Sequence, residues 1–283
     1  KQIPRGVFSS YVNSQLKQGD ILRVLPPSGK FNTTLDVKQA KNYVFFAAGS
    51  GITPIISLIK TYLALEPNST VKLFYANRTQ KSIIFKEEIE GLKNRYFERF
   101  QMYFFLTREQ RDIPLLNGRF TSEKIQELLA KVIHVDQVDE CFVCGPQSMI
   151  FMIRDESIAE GMSEKNIHFE LFFTGDENGN NNIEILEEKA EGTQVTIIDG
   201  GKEFHFTMGE QYDTVLDSAL AAGADLPFAC KGGVCSTCKC KVIEGELKMK
   251  KNYALEANEV AKGYLLSCQA VPITDKVVVD FDA

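Results

Sequence analysis

The sequence predicts a doubly wound α/β domain with a parallel sheet, preceded by part of a β-barrel and followed by a small α+β domain. Three observations predict this fold class. Apolar runs alternate with amphipathic runs through residues 43–173, a stretch rich in Asn and Gly follows at residues 174–182, and a Cys-rich loop lies beyond it. Two domains are also the number expected for a chain of 283 residues.

The alternation gives the order of elements in the central domain. Short apolar runs are predicted strands, at residues 43–48, 71–76, 100–106, 141–144 and 168–173. Amphipathic runs are predicted helices, at residues 55–65, 85–96, 123–132 and 148–160. Near-continuous apolar strands separated by helices indicate a parallel sheet that is covered on both faces.

The residues before this domain have a different pattern. Gly and Pro interrupt short runs such as residues 21–25, which is typical of the end of a β-domain, and residues 1–36 are assigned to it. The chain opens without an initiating Met and without a signal-peptide layout, so we expect a fragment that lacks the start of this β-domain. The central domain then spans residues 37–173, and a flexible linker spans residues 174–190.

The last domain, residues 191–283, contains a hairpin signal and one helix. Predicted strands at residues 195–198 and 203–207 flank Asp199, Gly200 and Gly201, which favour a tight turn. A helix is predicted at residues 214–222 and a closing strand at residues 277–281.

Charge and hydropathy argue against two classes of protein, those that bind nucleic acids and those that associate with membranes. The net charge is −6: residues before Ile183 include 22 basic and 21 acidic side chains, and the remaining residues include 10 and 17. An acidic last domain argues against nucleic acid as a partner and favours a basic protein surface, with solubility as the alternative role of the charge. The best membrane candidate, residues 52–65, is shorter than the roughly 18 to 20 residues of a membrane helix, so no membrane association is predicted.

Seven Cys in a chain without a secretory signal indicate cytoplasmic metal or redox chemistry rather than a disulfide framework. A zinc site is one alternative, but zinc sites usually pair two Cys-x2-Cys knuckles or include His. Cys240 lies in an extended segment that suits a buried apolar role, so it is not counted as a ligand. Four Cys have the C-x4-C-x2-C…C spacing of a plant-type 2Fe-2S site, namely Cys230, Cys235, Cys238 and Cys268.

A second constellation predicts a nucleotide site at the end of the first predicted strand. Main-chain N–H groups and the positive end of a helix can hold a phosphate there, with Thr53 as the N-cap and Pro54 as the first helical residue. A Gly-x-Gly turn alone is as often only a tight connection. The predicted loop consists of Gly49, Ser50, Gly51, Ile52, Thr53 and Pro54.

Cys144, Gly145 and Pro146 end another predicted strand. Ligands bind open α/β sheets at the carboxyl ends of the strands, so this segment and the glycine loop are expected to share one crevice. The alternative for Cys144 is a packed strand cysteine, which is the interpretation preferred for Cys141.

Two arginines follow strands of the same predicted sheet. Arg78 and Arg108 stand where an acidic residue would bind a free 2′-hydroxyl. A positive charge there suits a 2′-phosphate and favours NADPH over NADH, with solvated surface arginines as the alternative.

Together these motifs resemble the ferredoxin-NADP reductase superfamily, in its subgroup with a C-terminal ferredoxin domain. The resemblance implies a β-grasp ferredoxin domain, FAD as a cofactor, and NADPH or NADH as the electron donor. The family's Arg-x-Tyr-Ser flavin signature does not occur in this sequence. The resemblance rests on residues 6–11, 26–31, 49–54, 75–79, 116–119, 144–146 and 168–172 and on the four Cys.

The resemblance also implies site roles and an activity. Ser9 and Ser10 would lie near the flavin pyrophosphate, Phe172 near its ring, Cys144 beside the nicotinamide, and Glu170 near the flavin. Electrons would pass from NAD(P)H through FAD and the 2Fe-2S cluster to an oxygenase component of a multicomponent system. One alternative is an electron-carrier fragment without flavin or reductase activity. A second concerns the partner only: the acceptor could be the oxygenase component of any of several diiron or ring-hydroxylating systems.

Overall fold

The structure is a computed structural model that describes residues 2, 6–24, 29, 31–172, 190 and 192–283. The chain forms two compact units, Lys1–Glu170 and Leu171–Ala283. The predicted linker lies outside the described residues except for Ala190. The predicted domain bounds therefore stay predictions.

The first unit is built on a five-stranded sheet in the order β3-β2-β1-β4-β5. Strand β1 is parallel to β2 and to β4, and β2 is parallel to β3, which confirms the predicted parallel sheet. Five consecutive residues of β1 are buried because both faces of the sheet are covered. The strands are β1 Asn42–Ala48, β2 Thr70–Asn77, β3 Phe100–Leu106, β4 Glu140–Gly145 and β5 Ile167–Leu171.

Four helices of this unit lie in the connections between the strands, as predicted. The third of them is shorter than the predicted residues 123–132, because the chain continues as a π-helical turn, Leu129–Ile133, and ends at His134 with a left-handed φ of +58°. A polar N-cap begins that helix: Thr121 Oγ1 accepts from the N–H of Lys124 at 3.3 Å. The helices are α2 Ile52–Leu65, α3 Lys86–Arg95, α4 Ser122–Leu128 and α5 Gln147–Ala159.

A further helix, α1 Val7–Ser14, precedes the sheet. The described residues before Asn42 contain no strand, although residues 21–25 had the pattern of one. Ile21 and Val24 are largely exposed, at 94% and 83%, and a strand is stable only when it pairs. The β-barrel segment at residues 1–36 stays a prediction.

The second unit contains a five-stranded mixed sheet in the order β10-β8-β12-β6-β7 and a two-stranded sheet, β11-β9. The predicted hairpin is confirmed, because β6 and β7 are antiparallel and Asp199 pairs with Lys202. Gly200 and Gly201 have φ of +58° and +69°, the left-handed pair that a two-residue hairpin turn requires. The closing strand β12 is parallel to β6 and antiparallel to β8.

Most helices and strands that follow the Cys-rich loop are too short to be predicted from the periodicity of apolar residues in the sequence. The hydrophobic core of this unit packs β6, β10 and β12 against helix α6, with Val195, Leu216 and Val277 almost fully buried. The elements are β6 Gln194–Asp199, β7 Lys202–Thr207, α6 Val215–Ala221, β8 Lys239–Glu244, β9 Leu247–Met249, α7 Ala257–Ala261, β10 Tyr264–Leu266, β11 Ala270–Pro272 and β12 Lys276–Asp280.

Among the described helices, none combines the length and the hydropathy that crossing a bilayer would require.

Candidate functional site

The Cys-rich loop between α6 and β8 has an unusual backbone. Lys231, Gly233 and Ser236 all have left-handed φ angles, of +50°, +77° and +51°. A β-carbon added to Gly233 would lie 2.9 Å from the carbonyl oxygen of Lys251, so glycine lets the loop approach the neighbouring segment. The N–H of Tyr253 donates to the Gly233 carbonyl at 2.9 Å and fixes this approach.

This loop and the segment between β10 and β11 bring the four predicted cluster cysteines together as two pairs. A side-chain hydrogen bond joins Cys230 and Cys235, and it raises the pKa of Cys230 and lowers the pKa of Cys235. In the same way, the hydrogen bond from Cys268 lowers the pKa of Cys238 and raises that of Cys268. Iron binds thiolates, so all four side chains would have to lose their protons when a cluster assembles.

The donor set fits a 2Fe-2S cluster, in which two irons share four thiolates. In the described part of the chain, no three or more His, Cys, Asp or Glu side chains are grouped to hold a metal ion. Cys230 with Cys235 and Cys238 with Cys268 are the residues that would hold such a cluster, and it would supply single-electron transfer. The N–H of Gly232 points at Cys230 Sγ at 3.3 Å, as expected for a loop that stabilises negative sulfur.

Cys240 is a core residue and is not one of the four proposed cluster ligands. It sits on β8, paired with Leu265 of β10, and only 1% of its surface is exposed. Burial raises its pKa, so its thiol stays protonated in the hydrophobic core. This position agrees with the apolar role predicted from its place in the strand.

In the first unit, the predicted glycine loop follows β1 directly. Residues Gly49–Gly51 form a single 3-10 turn, and α2 begins at Ile52 with Gly51 as its N-cap. The prediction that Thr53 is the N-cap and Pro54 the first helical residue is therefore wrong. The turn advances the start of the helix, and the Thr53 hydroxyl donates backward to the Ser50 carbonyl at 3.0 Å.

The structure brings this loop against the segment that ends β4. Ala47 pairs with Cys144 in the parallel ladder, so β1 and β4 end side by side. A β-carbon on Gly51 would lie 2.6 Å from the Cys144 carbonyl carbon, and one on Gly145 would lie 3.1 Å from Ala48 Cβ. Both glycines thus allow the close packing at this edge. Because the sheet order reverses between β1 and β4, this is where an α/β sheet binds a nucleotide.

Cys144 is fully buried at this edge. Burial raises the pKa of its thiol to about 12, and the negative charge of Glu170 on β5 adds to the effect. The group is thus a neutral thiol near pH 7, with a carboxylate close enough to act on it electrostatically. Such a thiol can pack or donate a weak hydrogen bond, but it is not a nucleophile.

Arg78 and Arg108 follow β2 and β3 and lie side by side. The N–H of Arg108 donates to the Arg78 carbonyl at 2.8 Å, which continues the parallel ladder past the strand ends. Both side chains are exposed, and neither makes an ion pair within the described residues. Their charges are therefore available at the same edge of the sheet as the glycine loop.

The residues predicted near a flavin occupy separate elements. Ser9 and Ser10 lie on α1, whose N-cap, Gly6, makes no side-chain cap bond and whose first turn has no acidic residue. Among the described residues, the first turn of this helix presents main-chain N–H groups and contains no acidic side chain. Phe172 follows β5 and is 49% exposed.

Two contacts were missed by the sequence analysis. Tyr75 is fully buried on β2, and its hydroxyl donates to the Gly49 carbonyl at 2.8 Å. Gln269 is buried next to Cys268, with its amide within reach of the Cys268 sulfur at 3.6 Å. A lone Tyr in an apolar strand has no distinguishing pattern. The polar Gln beside a cluster ligand was the one available signal.

Two protein families match the chain. The 2Fe-2S iron-sulfur cluster binding domain matches residues 197–272. The oxidoreductase NAD-binding domain matches residues 45–155. The matches fall on the second and the first unit respectively, and each includes residues of the corresponding site.

Relatives with similarity over the whole chain agree with these matches. Identity is 42% to a component of the 1,2-phenylacetyl-CoA epoxidase of Escherichia coli, over 100% of this chain and 79% of that protein. Identity is 31% to the ferredoxin reductase component of the 3-ketosteroid-9-alpha-monooxygenase of Rhodococcus rhodochrous, over 99% of this chain and 77% of that protein. A solved intact type IV self-sufficient cytochrome P-450 monooxygenase has the same fold at a TM-score of 0.66 and 24% identity, over 99% of this chain and 32% of that one.

Proposed function

This chain belongs to the ferredoxin-NADP reductase-like family that joins an oxidoreductase NAD-binding domain to a C-terminal 2Fe-2S domain, and we propose that it reduces an oxygenase component with electrons from NAD(P)H. The observation that carries this proposal is the position of four cysteines on one loop with left-handed backbone and on the segment between β10 and β11, which hydrogen bonds from Ser267 and Gln269 hold against that loop. Such a donor set serves single-electron transfer, since a 2Fe-2S cluster takes up and releases one electron at a time.

In this proposal Cys230, Cys235, Cys238 and Cys268 hold the cluster. Cys230 and Cys235 are partly exposed, whereas Cys238 and Cys268 are buried. The partly exposed pair would leave the site accessible to an electron acceptor. The buried pair would join the site to the core of the unit.

The glycine loop and the end of β4 would hold the nucleotide. Gly49, Ser50 and Gly51, with the first turn of α2, offer main-chain N–H groups to the diphosphate. Arg78 and Arg108 would receive a 2′-phosphate, which makes NADPH the preferred donor over NADH. Pro146 ends the β4 segment just before α5 and fixes its direction.

Cys144 and Glu170 would border the nicotinamide. The Cys144 thiol is neutral and fully buried, so it would support the wall of the nicotinamide site from behind, and the Glu170 carboxylate would act on the charge that develops there. FAD, when bound, would accept two electrons together and release them singly, which a nicotinamide cannot do alone. Ser9, Ser10 and Phe172 are the residues proposed to contact it.

The acceptor proposed is the oxygenase component of a multicomponent system in the cytoplasm. The named relatives are a component of an epoxidase and the ferredoxin reductase component of a monooxygenase. The higher identity, 42%, favours phenylacetyl-CoA epoxidase as the specific acceptor. None of the seven cysteines forms a disulfide, which agrees with a reducing compartment.

The test is anaerobic purification and cluster reconstitution of the chain, followed by iron and sulfide analysis and electron paramagnetic resonance after reduction. We expect about two irons and two sulfides per chain and a reduced-cluster signal with dithionite and with NADPH. A signal with dithionite but not with NADPH, together with no flavin released on denaturation, would favour the electron-carrier alternative. A chain without iron would refute the proposal.

A further inference from the structure

Gln269 follows a cluster cysteine directly and is buried, with 6% of its surface exposed. A buried amide has to satisfy its hydrogen-bonding groups inside the protein. Its Nε2 donates to the carbonyl of Lys231 at 2.9 Å and to the carbonyl of Cys268 at 2.9 Å. The same nitrogen lies 3.6 Å from Cys268 Sγ.

The two carbonyl contacts fix the orientation of this amide. Carbonyl oxygens only accept hydrogen bonds, so the NH₂ end of Gln269, and not its oxygen, has to face them. The amide therefore presents N–H groups to the Cys268 sulfur as well. With two hydrogens and three acceptors, the contact to sulfur is a shared hydrogen bond.

The bond to Lys231 joins two parts of the site that lie 38 residues apart. Lys231 follows Cys230 on the loop and has the left-handed φ of +50°, so its backbone is held in a conformation that favours glycine. The stem of Gln269 also packs closely under the loop, since a β-carbon on Gly233 would lie 3.2 Å from Gln269 Cγ. Gln269 thus contacts the segment of one thiol pair and the loop of the other.

We propose that Gln269 is a positioning residue for the cluster, which holds the Cys230 loop against the Cys268 segment and raises the reduction potential through its N–H groups. Reduction adds negative charge to the sulfurs, and N–H donors stabilise that charge. The inference rests on the proposed function, because it requires a cluster on these four cysteines.

The test compares the variants Gln269→Leu and Gln269→Glu with the wild-type chain. Glu has the size of Gln but no N–H donor and adds a negative charge. Each protein is analysed for iron and sulfide and titrated anaerobically, with the reduced-cluster resonance signal as the readout at fixed pH. The matched control is Gln194→Leu, because Gln194 is an exposed glutamine on β6 that donates to Thr207 Oγ1 at 3.0 Å.

We expect both Gln269 variants to have lower midpoint potentials than the wild type, by up to about tenfold in the reduction equilibrium constant, or about 59 mV for one electron. The shift should be larger for Gln269→Glu, and Gln194→Leu should match the wild type. A variant at Gln269 that binds less iron than the control also supports the positioning role.

Full iron content with an unchanged potential in both Gln269 variants would overturn the inference and leave the proposed function intact. A wild-type chain that binds no iron would instead overturn the proposed function, and this role with it.

Discussion

Gly51 lies against the main chain of Cys144, and a β-carbon added to Gly51 would come within 2.6 Å of the Cys144 carbonyl carbon. This contact joins the loop after β1 to the end of β4, the two segments that the proposed function assigns to the nucleotide. The carbonyl belongs to the parallel pairing of β1 with β4, so moving it away would disrupt the hydrogen bonds between two central strands. The approach therefore depends on glycine.

The variant Gly51→Ala should distort this edge and weaken nucleotide binding. We expect a loss of stability of about 1 to 3 kcal/mol from overpacking, and a fall of about tenfold or more in NADPH affinity. Thermal unfolding measures the change in stability, and titration calorimetry measures the affinity for NADPH. The control is Gly91→Ala on the exposed side of α3, where an added β-carbon meets nothing within 4 Å, so stability should rise slightly there. Equal affinities in both variants would contradict the assignment of the loop.

Removal of the Tyr75 hydroxyl should loosen the same loop from beneath. Tyr75 donates to the Gly49 carbonyl at 2.8 Å, and burial raises the pKa of Tyr75 to about 12, so the hydroxyl remains a donor at working pH. For Tyr75→Phe we expect KM for NADPH to rise about threefold to tenfold, from the loss of about 1 kcal/mol, with kcat nearly unchanged. Steady-state kinetics measure this.

The matched control for that variant is Tyr103→Phe, since the Tyr103 hydroxyl makes an exposed bond of 3.2 Å to Gln101. Its KM should equal that of the wild type. A lower kcat with constant KM in Tyr75→Phe would instead indicate a role outside nucleotide binding.

Substitution at the two adjacent arginines should change donor preference. For Arg108→Gln and Arg78→Gln we expect kcat/KM for NADPH to fall about tenfold while the value for NADH stays constant, because a charge-assisted bond to a phosphate contributes about 1.5 to 3 kcal/mol. The control is Arg95→Gln at the end of α3, an exposed arginine away from the strand ends. An equal fall in kcat/KM for NADPH and for NADH would show that these arginines do not bind the 2′-phosphate.

The stability of the first unit should fall in alkali through its buried thiols. Burial raises the pKa of Cys141 to about 12, whereas a cysteine thiol in the unfolded chain has a pKa of about 8.5. The native state then holds a proton that the unfolded state loses, so the stabilisation is complete below about pH 8.5 and is lost as pH rises toward 12.

Thermal unfolding between about pH 7 and pH 10.5 measures this slope. The variant Cys141→Ala should lose some stability at neutral pH, because it leaves a small cavity, but its alkaline slope should be shallower than that of the wild type. Identical slopes in the two proteins would mean that Cys141 does not titrate on unfolding.

Cys240 and Cys235 should differ sharply when substituted. Cys240→Ala removes a core sulfur that is 1% exposed, so we expect a loss of about 1 to 2 kcal/mol in stability with full iron content. Cys235→Ser removes a proposed ligand and should abolish the 2Fe-2S spectrum. Iron analysis and visible absorption decide between them, and a colourless Cys240→Ala chain that still folds would reverse the assignment.

Long elements with a strong period were predictable from the sequence, and short ones were not. Strand β3 has the predicted bounds, residues 100–106, because its apolar run is uninterrupted enough to stand out between polar flanks. The start of α2 was misplaced, since a Thr followed by Pro has the signature of a cap, whereas the 3-10 turn at Gly49 depends on the packing of Gly51 against β4. Strands β9, β10 and β11 have three residues each, which is too few for a period of two to be detected.

By itself, the sequence determined the ligand chemistry and the class of fold. The spacing of four cysteines and the alternation of apolar and amphipathic runs are local properties, and they survive in the unfolded chain. Only the tertiary structure decided which groups meet: Cys230 with Cys235, Cys238 with Cys268, Gly51 with Cys144, and Gln269 with Lys231. Such contacts depend on strand order and loop conformation, which are set by the packing of the whole unit and leave no local pattern in the chain.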